Sequence, residues 1–77
     1  MHTEEGARQF CKDAQEASIK LGAIAGVVNK LQSGAPMSES ELEAAEFMGS
    51  HPFCNDGKPG LYYGAILNHK DLINELL

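Results

Sequence analysis

Apolar and small residues recur through the N-terminal part of the chain at alternating steps of three and four residues. This spacing places them on one side of a helix and is typical of a coiled-coil-like contact. Thr3 is the predicted N-cap, and Gly34 followed by Pro36 is expected to end the helix. The pattern therefore predicts one long N-terminal helix. Its seam consists of Ala7, Phe10, Ala14, Ala17, Leu21, Ile24, Val28 and Leu31.

A second side of the same helix carries small residues four apart, at Ser18, Gly22 and Gly26. Glycine inside a helix costs about 1 kcal/mol relative to alanine, and close approach of another helix is the physical reason for accepting that cost. A chain of 77 residues is near the lower limit for folding alone, which favours a homodimer built on this helix. The predicted dimer interface comprises Phe10, Ala14, Ala17, Ser18, Leu21, Gly22, Ile24, Ala25, Gly26 and Val28.

A second helix is predicted to follow the N-cap Ser38. Ser38 and Glu41 have the spacing of a capping box, in which each side chain bonds the backbone N–H of the other residue. Gly49 and then Pro52 are expected to end this helix. Its predicted apolar stripe is Leu42, Ala45 and Met48, with Phe47 alongside.

A third helical segment follows a loop rich in Pro, Asn, Asp and Gly over residues 50–60. Asn68 is a candidate cap for a new helix from Lys70, which would divide the segment in two. No segment shows the alternation of a strand. Because 43% of the residues are apolar, the chain has enough hydrophobic surface for a core. The prediction is a single all-α domain over residues 1–77, a small bundle of three or four helices.

The net charge of −5 narrows the set of partners. Arg8 is the only arginine, and the six lysines and arginines form no cluster, so nucleic acid and anionic membranes are disfavoured as direct partners. Glu39, Glu41, Glu43 and Glu46 make the second helix negative. They are either a solvated helix face or, taken together, a surface that attracts a basic protein partner. The sequence has neither the pattern of a signal peptide nor an apolar run long enough to span a membrane. We therefore expect a cytoplasmic protein of a bacterium or of an infected host cell.

Aromatic residues cluster around the loop and the start of the third helical segment. Tyr62 and Tyr63 are adjacent on the predicted helix and point about 100° apart, so one can face the core while the other faces solvent. An exposed tyrosine beside a loop is typical of a binding hot spot. The alternative is that the aromatic side chains only fill the core. The predicted partner-binding residues are Phe53, Asn55, Asp56, Lys58, Tyr62 and Tyr63.

The candidates for chemistry are two cysteines and two histidines, Cys11, His51, Cys54 and His69. These are zinc-binding residue types, and a Cys–His pair is the minimum for thiolate attack. Their spacing matches no standard zinc motif and no nucleophile signature, so we expect no metal, no cofactor and no enzymatic activity. A metal-stabilised or thiol-active domain built on these four residues is an alternative hypothesis. A structural subunit of a larger assembly is another.

The stretch from Ser38 to Tyr63 resembles the immunity proteins of nuclease colicins, in its acidic capped helix, its His51-Pro52 pair and its Tyr62-Tyr63 pair. That family consists of small acidic helical inhibitors. The resemblance covers about a third of the chain, and the spacing between the two pairs is longer here than in the family. It implies a module that inhibits or sequesters a larger protein. Phage and other mobile-element genomes encode many chains of this size and charge, so the preferred hypothesis is an inhibitor of the anti-CRISPR or antirepressor type.

Overall fold

The computed structural model describes residues 3–54 and 60–77, with the side chains of residues 60–63 outside the described part. Most of the described residues are helical and none lies in a β-strand, so the prediction of an all-α fold is confirmed. No described helix is long and apolar enough to cross a membrane. The helices are α1 (Glu4–Glu16), α2 (Leu21–Ser33), α3 (Glu39–Ser50), α4 (Gly60–Asn68) and α5 (Lys70–Leu76).

The predicted long N-terminal helix is two helices in the structure. Helix α1 begins as expected, with the Thr3 hydroxyl accepting a hydrogen bond from the backbone N–H of Gly6 at 3.0 Å. It ends at Glu16, and residues 17–20 separate it from α2. The heptad seam is therefore divided between α1 and α2.

A left-handed residue ends α1. Ser18 has a φ of 59°, its N–H bonds the carbonyl of Gln15 at 3.0 Å, and the N–H of Ile19 bonds the carbonyl of Ala14 at 2.8 Å. These two bonds form a Schellman turn, which usually has glycine at the left-handed position because a side chain there costs roughly 1–2 kcal/mol. The turn buries both Ala14 and Ile19. Since serine occupies the glycine position, the sequence pattern contains no signal for this break.

The ends of α2 and α3 agree with the prediction. Gly34 adopts a φ of 74° and its N–H bonds the carbonyl of Lys30 at 2.7 Å, which ends α2. The capping box at the start of α3 is complete, because the Ser38 hydroxyl accepts from the Glu41 N–H and the Glu41 carboxylate accepts from the Ser38 N–H. Helix α3 ends at Ser50, close to the predicted end.

The third helical segment is divided in two near the predicted position. Asn68 is the last residue of α4, and His69 occupies the N-cap position of α5 without a side-chain capping hydrogen bond. The prediction of a division is confirmed, but Asn68 does not act as the cap.

The helices pack around one core. Helix α2 packs chiefly against α3, α1 packs chiefly against α5, and α4 contacts both α2 and α5. Phe10 and Phe53 are the largest of the fully buried side chains. The buried hydrophobic residues are Ala7, Phe10, Cys11, Ala14, Ile19, Ile24, Val27, Val28, Ala44, Met48, Phe53, Cys54, Ala65, Ile66 and Ile73.

Candidate partner-binding surface

The outer side of α3 presents one leucine among carboxylates. Leu42 is 56% exposed, and Glu39, Glu43 and Glu46 are exposed as well. The glutamates lie three residues before, one after and four after Leu42, which puts all four residues on one side of the helix. None of the three glutamates forms an ion pair with a residue in the described part of the chain. These four residues are called the acidic face of α3 below.

Of the predicted apolar stripe of this helix, Met48 and Ala45 face the core as expected, whereas Leu42 does not. Ala44 and Met48 are fully buried, while Ala45 and Phe47 are partly buried against the core. Helical spacing alone assigned Leu42 to the core. The signal that could have corrected it is the three glutamates on its own side, because a core-facing stripe does not hold unpaired charges.

Glu41, predicted on the negative side of the helix, turns inward. Its Oε1 accepts hydrogen bonds from the Lys30 ammonium at 2.5 Å and from the Ser38 N–H at 2.9 Å. A Cβ added to Gly26 would overlap the Glu41 carboxylate, so this glycine allows Glu41 to lie against α2. The Lys30 ammonium, together with the Ser38 N–H, lowers the pKa of Glu41 to about 2. Glu41 therefore joins α2 to α3, and the carboxylates of Glu39, Glu43 and Glu46 are the ones left exposed on this helix.

The residues predicted to form a dimer interface are divided between the core and the surface. Phe10, Ala14, Ile24 and Val28 are buried in the core of this chain, so they are not accessible to a second copy in this conformation. Gly26 is half-buried beneath Glu41, and Leu21 is half-buried. The exposed members are Ala17, Ser18, Gly22 and Ala25. Nothing in the described part of the chain lies within 4 Å of a Cβ built on Gly22.

Of the predicted partner-binding residues, only Phe53 has a described side chain. Phe53 is 1% exposed and belongs to the core, so it is not a surface contact in this conformation. Asn55, Asp56 and Lys58 lie outside the described residues. Tyr62 and Tyr63 lie in α4, but their side chains are outside the described part.

An aromatic cluster explains the burial of Phe53. The ring of Phe10 lies 5.2 Å from the rings of Phe47, His51 and Phe53, and the Phe53 ring lies 5.7 Å from that of His69. Tilted and edge-on contacts at these distances are favourable for aromatic rings. The cluster joins α1, the end of α3 and the start of α5, and both candidate histidines serve its packing.

His51 is engaged at both ring nitrogens. Its Nε2 lies 2.8 Å from Oδ2 of Asp13, and its Nδ1 accepts a hydrogen bond from the Phe53 N–H at 3.1 Å. Because Nδ1 is an acceptor, the proton is assigned to Nε2, which donates it to Asp13. This hydrogen bond is the main reason that the pKa of Asp13 lies below its ordinary value. His51 thus joins α1 to the turn after α3, and neither nitrogen is open to a metal or a thiol.

The four residues of the metal or thiol hypothesis do not assemble a site. Within the described residues, which include all four, no group of three or more His, Cys, Asp or Glu side chains is placed to hold a metal ion. Cys11 and Cys54 are 1% and 0% exposed, and burial raises the pKa of the Cys11 thiol. A thiolate, not a thiol, is the nucleophile, so burial and a raised pKa both oppose reactivity at Cys11.

A groove between α2 and α4 is a second exposed apolar feature. It has a volume of about 250 Å³, and Leu67, which is 48% exposed, lies along it. Its charged lining residue is Lys70. The other lining residues are Leu21, Ala25, Val28, Asn29, Ile66 and Leu67.

Comparison with known proteins gives no relative for this chain: no family model, no curated protein and no solved structure matches it. Any inference about function therefore rests on the residues and geometry of the chain itself.

Proposed function

We propose that this chain is a protein-binding module that inhibits or sequesters a larger protein, and that the acidic face of α3 contacts a basic surface on that protein. The observation that carries the proposal is the exposure of Leu42 between three carboxylates that have no ion-pair partner in the described part of the chain. Full burial of a leucine contributes about 1.5–3 kcal/mol, so covering the exposed 56% of Leu42 contributes about 0.8–1.7 kcal/mol.

The carboxylates supply orientation and selectivity around this apolar contact. Complementary charges accelerate association and penalise partners of the wrong sign, while their net contribution to affinity is smaller. Three exposed carboxylates on one helix side, in a chain of net charge −5, attract a surface rich in lysine and arginine. An inhibitor of the anti-CRISPR or antirepressor type acts by occupying such a surface, which requires no catalytic group.

We also propose that the chain associates as a homodimer. The exposed residues Gly22 and Ala25 of α2 are small and uncharged, and the apolar groove lined by Leu21 and Leu67 lies beside them. Charged side chains, Lys20, Glu43 and Lys70, line the edges of this surface. An apolar surface with a polar rim is typical of a protein contact. The mass in solution, measured by light scattering over a range of protein concentrations, tests this part of the proposal.

The contact of the acidic face is tested with a fluorescent helical peptide that has lysines and arginines on one side and a leucine among them. We expect binding that weakens as the salt concentration rises, because exposed charges are screened. Changing Glu39, Glu43 and Glu46 together to Gln should weaken binding at least tenfold in low salt. Leu42→Ala should weaken it about four- to eighteenfold, as expected for about 0.8–1.7 kcal/mol.

The matched control changes Glu5, Glu16 and Glu75 to Gln. These glutamates are also exposed but lie on α1 and α5, so the net charge changes equally while the acidic face stays intact. Binding by the control should fall less than threefold. Equal losses in the two triple variants would mean that only net charge matters, and unchanged binding in both would mean that the face makes no contact. Either result would refute the assignment.

A further inference from the structure

Helix α1 packs chiefly on the C-terminal half of the chain. Asp13 bonds His51, and the Gln15 side chain donates a hydrogen bond to the carbonyl of Leu76. The ring partners of Phe10 also lie in residues 47–53. Helix α2, the next element along the chain, packs chiefly on α3 instead. Helix α1 is therefore an arm that lies chiefly on residues 47–53 and on α5, and residues 17–20 connect it to α2.

The connection between the two helices is short and strained. Ser18 holds a left-handed conformation that costs a residue with a side chain roughly tenfold in population. Residues 17–20 include neither glycine nor proline, and the apolar seam continues across them from Ala14 through Ala17 to Leu21. Nothing in this sequence opposes a straight helix from α1 into α2. A short hinge under strain favours exchange of the arm between copies.

We infer that α1 is exchanged between two copies of this chain, so that residues 4–33 form one continuous helix in each copy and α1 fills the place on residues 47–53 and α5 of the other. The inference rests on the homodimer proposed above and is independent of the acidic face. The contacts of α1 are the same in the closed monomer and in the exchanged dimer. The equilibrium between these two forms therefore depends on the hinge, residues 17–20. Opening the hinge returns Ser18 to the ordinary helical region and completes the seam, and it gives up the turn that buries Ile19.

The two forms require opposite conformations at residue 18, which makes a pair of variants decisive. Ser18→Gly favours the closed turn, because glycine adopts positive φ without strain and is a poor helix former. Ser18→Ala favours the continuous helix, because alanine is strained at positive φ and is a good helix former. With two hinges in each dimer, we expect the dimerisation constant of Ser18→Ala to exceed that of Ser18→Gly about a thousandfold, which is ~4 kcal/mol. Light scattering and sedimentation equilibrium measure both constants, and circular dichroism verifies that both variants are folded.

The control is Ala17→Gly, one residue earlier. Ala17 is the C-cap of α1 with a φ of −85°, which both glycine and alanine adopt without strain. Only the helix cost of glycine, about 0.5–1 kcal/mol in each chain, then acts, so this change should lower the constant by at most about thirtyfold. Dimers of Ser18→Ala and Ser18→Gly with constants within threefold of each other would overturn the exchange and leave the homodimer standing. A wild-type chain and variants that all remain monomeric up to about 1 mM would overturn both the exchange and the homodimer.

Discussion

Gly22 and Gly26 lie one turn apart in α2 and differ in what surrounds them. A Cβ built on Gly22 meets nothing within 4 Å, whereas one built on Gly26 overlaps the Glu41 carboxylate. Gly22→Ala should therefore remove a helix cost of about 0.5–1 kcal/mol with no steric consequence. In a domain of this size, that gain raises the melting temperature by about 2–8 °C.

Gly26→Ala has the same intrinsic gain but a different outcome. The Glu41 carboxylate is the end of a flexible side chain, so it can swing away while the helices stay in place. By moving, it gives up its hydrogen bonds to the Lys30 ammonium and the Ser38 N–H. We therefore expect Gly26→Ala to be neutral or destabilising in the wild-type chain. In a Glu41→Ala background the obstacle is gone, and Gly26→Ala should recover about 0.5–1 kcal/mol.

Urea unfolding of the single and double variants measures these free energies, and the cycle isolates the coupling between positions 26 and 41. Equal stabilisation by Gly22→Ala and Gly26→Ala would show that Glu41 does not lie against Gly26. Destabilisation by Gly22→Ala would show that another surface covers Gly22, contrary to the open space around it. Because self-association would add to both values, the measurements are compared at two protein concentrations.

Three further results are expected. Phe10→Ala should lower the free energy of unfolding in urea by about 3–5 kcal/mol, because it empties the centre of the aromatic cluster. Leu42→Ala should change that free energy by less than about 0.5 kcal/mol. If Phe10→Ala instead removes the dimer and leaves the fold intact, Phe10 lies at an interface. The pKa of the Asp13 carboxylate lies below its ordinary 3.8 because of the hydrogen bond to His51. The contribution of Asp13 to stability is therefore present above pH 3.8 and is lost as the pH falls through the lowered pKa. Between those two pH values, the difference in unfolding free energy between wild type and Asp13→Asn should shrink and should not grow. Cys11, buried and with a raised pKa, should react with a thiol reagent only as fast as the fold opens, and a rate equal to that of the urea-unfolded chain would contradict its burial.

The sequence by itself determined the features that depend on a few neighbouring residues. The Thr3 cap, the Ser38–Glu41 capping box and the left-handed Gly34 were predictable because each is a backbone requirement met within four positions of the chain. The all-α class followed in the same way, from helical periodicity and from the absence of strand alternation.

The tertiary structure alone decided which side of each helix is covered. Helical spacing shows which residues share a side, but it does not show what packs against that side, so Leu42 was assigned inward. Phe53 was assigned to the surface because it lies in a loop. The structure reverses both assignments. Ser18 ends α1 without a glycine because the turn buries Ala14 and Ile19, a gain that exists only once the rest of the core is present. Burial is a property of contacts between segments distant in sequence, and local patterns carry no information about those contacts.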